Sequence, residues 1–267
     1  MSKNLIKEIM IRSSKNDDSF DSKSFVSAIE KGYVSNDRSK FETKKKFTPS
    51  KLVYGEGKCP RYWYIAFDGA NFEDKTKPFD IANMKSGTDA HERVLSMAVM
   101  NSEVGVDVEF SLSYNGKDGE LLFGGICDGL VKWKDEEYVL ELKTVTTDAF
   151  QSIKESGEPR DYHIEQLILY MKVLKKTKGI VLYENKNTHE LFAIPVEIND
   201  IYKKWASNTF DWMEEVKDAW KARQLPEIPY RSNSKICKKC PVQQDCLKLG
   251  DGVIKIKPLE ELSETMQ

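Results

Sequence analysis

No apolar run in this 267-residue chain approaches the roughly 20 residues that a bilayer-crossing helix needs. The first residues, Met1-Ser2-Lys3-Asn4, lack the apolar core of a secretory signal, which makes the cytoplasm the expected compartment. An excess of one charge is missing too. Lys and Arg number 41 against 43 Asp and Glu, a net charge of −2, so no global field draws the protein onto a polyanion. Any nucleic acid must be held by local basic patches and bound metal. Histidines number only three, and the chain contains no internal repeat. Cysteines are few and odd in number, five in all; in a reducing compartment that count points to metal ligands and a spare thiol, not to disulfides.

The composition is that of a protein with a real core: 40% hydrophobic residues and 31% charged suit one substantial domain with a well-solvated surface. Residues 1–47 read as a charged, weakly structured arm that ends in Lys44-Lys45-Lys46; the patch Leu5, Ile6, Ile9, Met10 has the material for a short helix. Thr48-Pro49 marks a helix start and opens the main domain, expected over 48–250 with a tail at 251–267. Apolar residues recur at helical spacing from Thr88 to Met100, placing His91 near a helix start. Segments 106–113, 121–133 and 137–144, separated by turn residues, predict an antiparallel meander. An amphipathic helix at 161–176, a hairpin over 179–184 and 190–196, and a long helix at 200–223 follow.

The chemistry concentrates in two adjacent strands. Glu141 and Lys143 project from one side of their strand while Leu140 and Leu142 point into the core. Asp128, which follows Gly124-Gly125 inside an apolar strand, can come alongside Glu141 after a turn. Two carboxylates supply the hard oxygens that magnesium or manganese prefers, and a neighbouring amine can orient water or meet developing negative charge. Hydrolysis of a phosphodiester needs a cation of that kind, which neutralises the phosphate and acidifies bound water. His91 offers a nitrogen ligand suited to manganese. Taken alone, Glu141-Leu142-Lys143 is also the pattern of an ordinary ion pair on an exposed strand; a costly Asp128 in an apolar strand favours the site. Gln166 and Tyr170, four apart, share one helix face. Packing explains Tyr170 well and Gln166 poorly, since a buried Gln needs a partner.

A second cluster closes the chain. Cys237-x-x-Cys240 and Cys246 can face one metal centre, with Cys59 as fourth ligand if the fold joins the two ends. Spacing alone leaves both a structural zinc site and an iron–sulphur cluster open. Cys127, beside Asp128 on a strand, faces the other way as a small core residue.

The order His91, Gly125-x-x-Asp128, Glu141-x-Lys143, Gln166-x-x-x-Tyr170 resembles the motif series of RecB-like nucleases of the PD-(D/E)XK superfamily. Cys59 with the C-terminal three further resembles its iron–sulphur subgroup, which includes Cas-four-type exonucleases, the AddB nuclease domain and viral exonucleases. The resemblance, which spans about Thr48 to Leu247, implies a restriction-endonuclease-like α/β (α+β) core: a central mixed sheet flanked by helices and closed by a four-cysteine subdomain. It implies that His91, Asp128, Glu141 and the Leu142 carbonyl bind Mg²⁺ or Mn²⁺. Lys143 is then catalytic, Gln166 and Tyr170 support the site or contact DNA, and Cys59, Cys237, Cys240 and Cys246 hold a 4Fe-4S cluster. The expected activity is that of a DNA exonuclease of replication, recombination or repair, acting on single-stranded ends, in the host cytoplasm if the protein is viral. A DNA-binding or assembly subunit on the same fold is the alternative. Replication or recombination partners and self-association are compatible with either. The motif has Glu141 where many relatives have Asp, and the N-terminal arm has no counterpart among them. Lys44–Lys46, Lys51, Lys58 and Arg61, and Lys172, Lys175, Lys176 and Lys178, are two basic stretches: solvated faces or phosphate contacts. Lys235, Lys238 and Lys239 would favour thiolates nearby. Tyr62, Trp63 and Tyr64 either stack bases or pack around the cluster.

Overall fold

A computed structural model describes residues 21–34 and 38–265; the expected short helix around Leu5–Met10 lies outside them. Five strands form one mixed sheet: β3 (Gly105–Asn115), β4 (Leu121–Trp133), β5 (Glu136–Val145), β6 (Lys178–Asn185) and β7 (Leu191–Glu197) lie side by side in that order. The meander β3–β4–β5 is antiparallel as the turn residues predict, β6 joins β5 in parallel, and β7 returns antiparallel. A parallel neighbour needs a crossover, which the helices Thr147–Ser156 and Asp161–Leu174 provide. Among the described residues no helix is long and apolar enough to cross a membrane.

Both faces of the sheet are covered. On one, Leu167, Ile168 and Met171 of Asp161–Leu174 pack against Val139, Val181 and Tyr183, and the long helix Asp200–Lys221 packs against that helix and β4. Asn199 caps that long helix by accepting the Tyr202 N–H at 2.8 Å. On the other, Val94 and Leu95 cover Val131, Leu140 and Leu142. The fold is the restriction-endonuclease-like one expected.

Three expectations change. The Asp161–Leu174 helix is not simply amphipathic: every residue from His163 to Met171 is buried, because the chain's two ends pack over the side that would otherwise meet water. The folded body also begins before residue 48 and runs beyond 250. Phe47, fully buried, donates its N–H to Leu122 (2.8 Å) and accepts from Gly124 (3.0 Å), while β1 (Ser39–Glu42) pairs with β2 (Ala70–Glu73). At the other end, Ile256, Leu259 and Leu262 are core residues. Finally, the helix carrying His91 starts at Pro78, a proline in the first turn, and runs without a break into a π-helical stretch, His91–Val99, so His91 stands at an internal junction.

Leu167 is fully buried between helix and sheet, so Leu167→Ala should lower unfolding free energy by about 2–5 kcal/mol, read as a lower urea midpoint at unchanged slope.

Candidate active site

β4 and β5 pair only between Gly129–Trp133 and Leu140–Glu136, and beyond Gly129 the two strands part. The parting leaves the Leu142 N–H without a strand partner on the β4 side. Asp128 takes the vacated place: its Oδ2 accepts that N–H at 2.7 Å. The side chain is thereby buried and fixed beside Glu141. Tyr170 holds the strand just before it, donating its hydroxyl to the Ile126 carbonyl at 2.7 Å. Glycine is required at 125 for this approach, since a Cβ there would lie 2.9 Å from Pro49 Cδ and 3.3 Å from the Tyr170 hydroxyl.

Glu141 is 0% exposed. Its Oε1 meets the Lys143 ammonium; beyond that contact neither carboxylate oxygen has a hydrogen-bond partner among the described residues. Lys143 Nζ also donates to Gln166 Oε1 at 3.3 Å, which supplies the partner that a buried Gln166 requires. His91 approaches from the other side, with Nδ1 3.8 Å from Asp128 Oδ1. The structure therefore brings together all six side chains expected here: His91, Asp128, Glu141, Lys143, Gln166 and Tyr170.

The electrostatics follow from burial. Desolvation pushes the Asp128 carboxyl up, with Lys143 and His91 opposing it. Burial, then the charge of Asp128, lifts Glu141 to about 8. Burial alone would depress Lys143, but Glu141 and Asp128 outweigh it and hold the ammonium charged. His163 is pressed to about 3 by burial and by Lys143, so it stays neutral and hydrogen-bonds the Tyr183 hydroxyl at 2.8 Å. Two adjacent carboxylates, one fully buried and short of partners, with only one ammonium between them, form a donor set suited to a hard cation. Among the described residues no three His, Cys, Asp or Glu side chains close on one metal position.

The four cysteines also meet. Cys59, Cys237, Cys240 and Cys246 line one small cavity together with Arg61. Pro60 opens the helix Pro60–Asp68 directly after Cys59, and Ser234 caps the short helix that carries Cys237. Burial lifts the Cys59 and Cys240 thiols to about 12, each pushed further by neighbouring cysteines. Arg61 is fully buried, yet among the described residues it pairs with no carboxylate. Its guanidinium donates to the carbonyls of Pro226 (2.6 Å), Cys246 (3.0 Å) and Gly250 (2.5 Å), and through Nε to Cys246 Sγ at 3.2 Å. A buried cation with no anion is costly. Thiolates gathered on a metal supply the missing negative charge, so these residues fit a metal–thiolate centre. Cys127 stands apart from the four-cysteine cavity, fully buried in the main core.

Several expected DNA contacts are structural instead. Lys58 is buried between Glu165 (3.4 Å) and Glu261 (3.2 Å); Lys51 is paired with Glu56, Lys176 with Glu137 and Lys178 with Glu136. Tyr62, Trp63 and Tyr64 are buried, Tyr62 lining the cysteine cavity and Trp63 against Phe47 at 4.6 Å between ring centres, so none offers a face to a base. Sequence reasoning missed Glu109, whose carboxylate lies 3.6 Å from His91 Nδ1, and the buried Glu184 that takes both Arg93 (2.7 Å) and His189 (3.0 Å). Glu109 sits at a strand irregularity, which no periodicity announces.

No family model and no curated protein matches the chain. Among solved structures, the alkaline exonuclease LHK-Exo from Laribacter hongkongensis superposes with a TM-score of 0.51 at 15% identity, over 67% of this chain and 91% of that one. The same protein in complex with dAMP gives the same figures. SSO0001 superposes at 0.43 with 16% identity, over 82% and 97% of the two chains. The first likeness places the chain in the fold class of that exonuclease.

Two outcomes are expected. The raised Glu141 carboxyl stabilises the metal-free fold fully below the ordinary carboxylate range near pH 4.5, and that stability is lost as pH rises through about 8. In EDTA the melting temperature should fall between pH 5 and 8, and Glu141→Gln should flatten that slope and melt higher than the parent at pH 8. Arg61→Gln should reduce the metal bound per chain at the cysteines to below half, by elemental analysis of purified protein; full loading would remove Arg61 as its counter-charge.

Proposed function

We propose that the protein is a Mg²⁺- or Mn²⁺-dependent DNA nuclease, an exonuclease acting from single-stranded ends. The reading is carried by the buried pair Asp128 and Glu141 with Lys143 between them, at the parting of β4 and β5 on this fold. The order of these residues along the chain, and the alkaline exonuclease that shares the fold, support it.

Asp128, Glu141, the Leu142 carbonyl and His91 would hold the cation. When bound, it neutralises the scissile phosphate and acidifies water. Lys143 stays charged and is fixed by Glu141 and Gln166, so its ammonium can orient the attacking water and meet the negative charge that grows on phosphorus oxygens. Gln166 is a positioning residue for Lys143, and Tyr170 for the strand that presents Asp128. Neither needs to touch DNA for that role. Lys235, Lys238 and Lys239, which flank Cys237 and Cys240 in sequence, are offered as phosphate contacts.

For the cysteine centre we favour a 4Fe-4S cluster, which ties Cys59 to the C-terminal segment and so clasps the two ends of the domain. A metal centre there is supported by the convergence of the cysteines around Arg61, and the choice of iron over zinc rests on the resemblance of the cysteine series to the iron–sulphur subgroup. Iron and sulphide with absorption near 400 nm would bear this out; zinc alone would replace it with a structural zinc site.

The deciding experiment is cleavage of end-labelled single- and double-stranded DNA by anaerobically purified protein with EDTA, Mg²⁺ or Mn²⁺. Asp128→Ala and Lys143→Ala should each lower the metal-dependent rate by at least about a hundredfold while leaving the fold and DNA binding largely intact. Binding without cleavage under every condition would instead indicate a DNA-binding or assembly subunit.

A further inference from the structure

The acidic side chain nearest to His91 is not in the motif series. Glu109 belongs to β3, where Val108 pairs with Gly129 and Phe110 with Cys127, so Glu109 lies level with Asp128 on the neighbouring strand. Its φ is 51°, a left-handed conformation that a glutamate seldom adopts and that interrupts the regular alternation of the strand. The carboxylate is directed at the site: Oε1 is 3.6 Å from His91 Nδ1, and Oε2 accepts the Ser96 hydroxyl at 3.3 Å. Across the same imidazole nitrogen stands Asp128 Oδ1, 3.8 Å away. The charge of Glu109 is felt at Asp128, where it helps to raise that carboxyl. Behind Asp128 lies Glu141, 0% exposed, with no hydrogen-bond partner beyond Lys143 among the described residues.

We propose that Glu109 is a further ligand of the divalent-cation site, binding Mg²⁺ or Mn²⁺ together with His91 and Asp128. The inference rests on the cation site of the proposed nuclease and extends it. Two carboxylates flank one histidine from adjacent strands at the same level, and as like charges they repel one another until a cation joins them. Separations of 3.6 and 3.8 Å from Nδ1 to the two oxygens let a small inward rotation bring all three donors to a hard cation. Glu109 has the freedom to make it, because its side chain is 43% exposed. Glu141 lacks that freedom, enclosed and held by Lys143.

The test is Mn²⁺ binding to the intact protein without DNA, followed by the electron paramagnetic resonance signal of free Mn²⁺, for the parent, Glu109→Gln and Glu109→Asp. Melting temperatures in EDTA establish that each variant is folded. Glu109→Gln should weaken Mn²⁺ binding by about tenfold or more and raise the Mn²⁺ concentration for half-maximal cleavage in parallel. Glu109→Asp, which keeps the charge, should recover most of the affinity. Affinity of Glu109→Gln within twofold of the parent overturns the proposal even if the protein cleaves DNA. A parent that binds Mn²⁺ through Glu109 yet cleaves nothing overturns the nuclease reading and leaves Glu109 as a ligand. A parent that binds no Mn²⁺ overturns both.

Discussion

The hydrogen bond from the Leu142 amide to Asp128 is the contact on which the site depends. Where two strands separate, buried backbone groups lose their ladder partners, and each must find another or carry the cost of desolvation. A carboxylate is well suited to this place because one oxygen can replace the missing strand while the other remains available. The parting thus fixes Asp128 against Glu141, and the same parting opens the space in which their oxygens meet His91 and Lys143. Everything nearby protects this geometry: Tyr170 pins the strand at Ile126, Gly125 lets Pro49 and Tyr170 close on it, and Gln166 steadies Lys143.

The two centres share one physical logic with opposite signs. In the sheet, an excess of buried negative charge surrounds a single ammonium, and Glu141 is left without enough donors. At the cysteines, a buried guanidinium lacks a carboxylate, and thiol sulphurs stand where anions would be needed. Burial alone makes both arrangements unfavourable for the bare protein. A hard cation would offset the first, and thiolates bound to a metal would offset the second. A metal bound at the second centre would also act mechanically, because Cys59 precedes the main sheet in sequence while the other three cysteines follow the last long helix. Beside it, Lys58 reaches Glu165 and Glu261, and the C-terminal Leu259 and Leu262 are buried, so the chain's ends are joined by packing and ion pairs as well.

The sheet was legible in the sequence to the extent that alternation and turn residues are local signals. The antiparallel meander, the hairpin after it and the long helix from residue 200 all stand close to their expected bounds. Asp128, Glu141 and Lys143 were legible because a carboxylate within an apolar strand is costly and stands out. The ends of the domain were less so. Phe47 follows three lysines and reads as part of a polar arm, yet its burial depends on β4 and on Trp63, Phe67 and Trp212, residues far along the chain. Lys58 and Arg61 read as surface charge, and their burial follows from the arrival of partners more than a hundred residues later. Glu109 gave no signal, because its usefulness comes from one left-handed residue in a strand and not from its neighbours in sequence.

What the sequence by itself determined is the set of elements and the chemistry carried on them, since strand alternation, helix spacing and the placement of carboxylate, amine and thiol are properties of nearby residues. Only the tertiary structure decided which of those groups meet. The parallel pairing of β5 with β6, the separation of β4 from β5, the approach of Glu109 to His91 and the joining of Cys59 to the C-terminal cysteines depend on residues distant in sequence. Their energies come from burial and from satisfying buried polar groups, which depend on what the whole fold brings alongside.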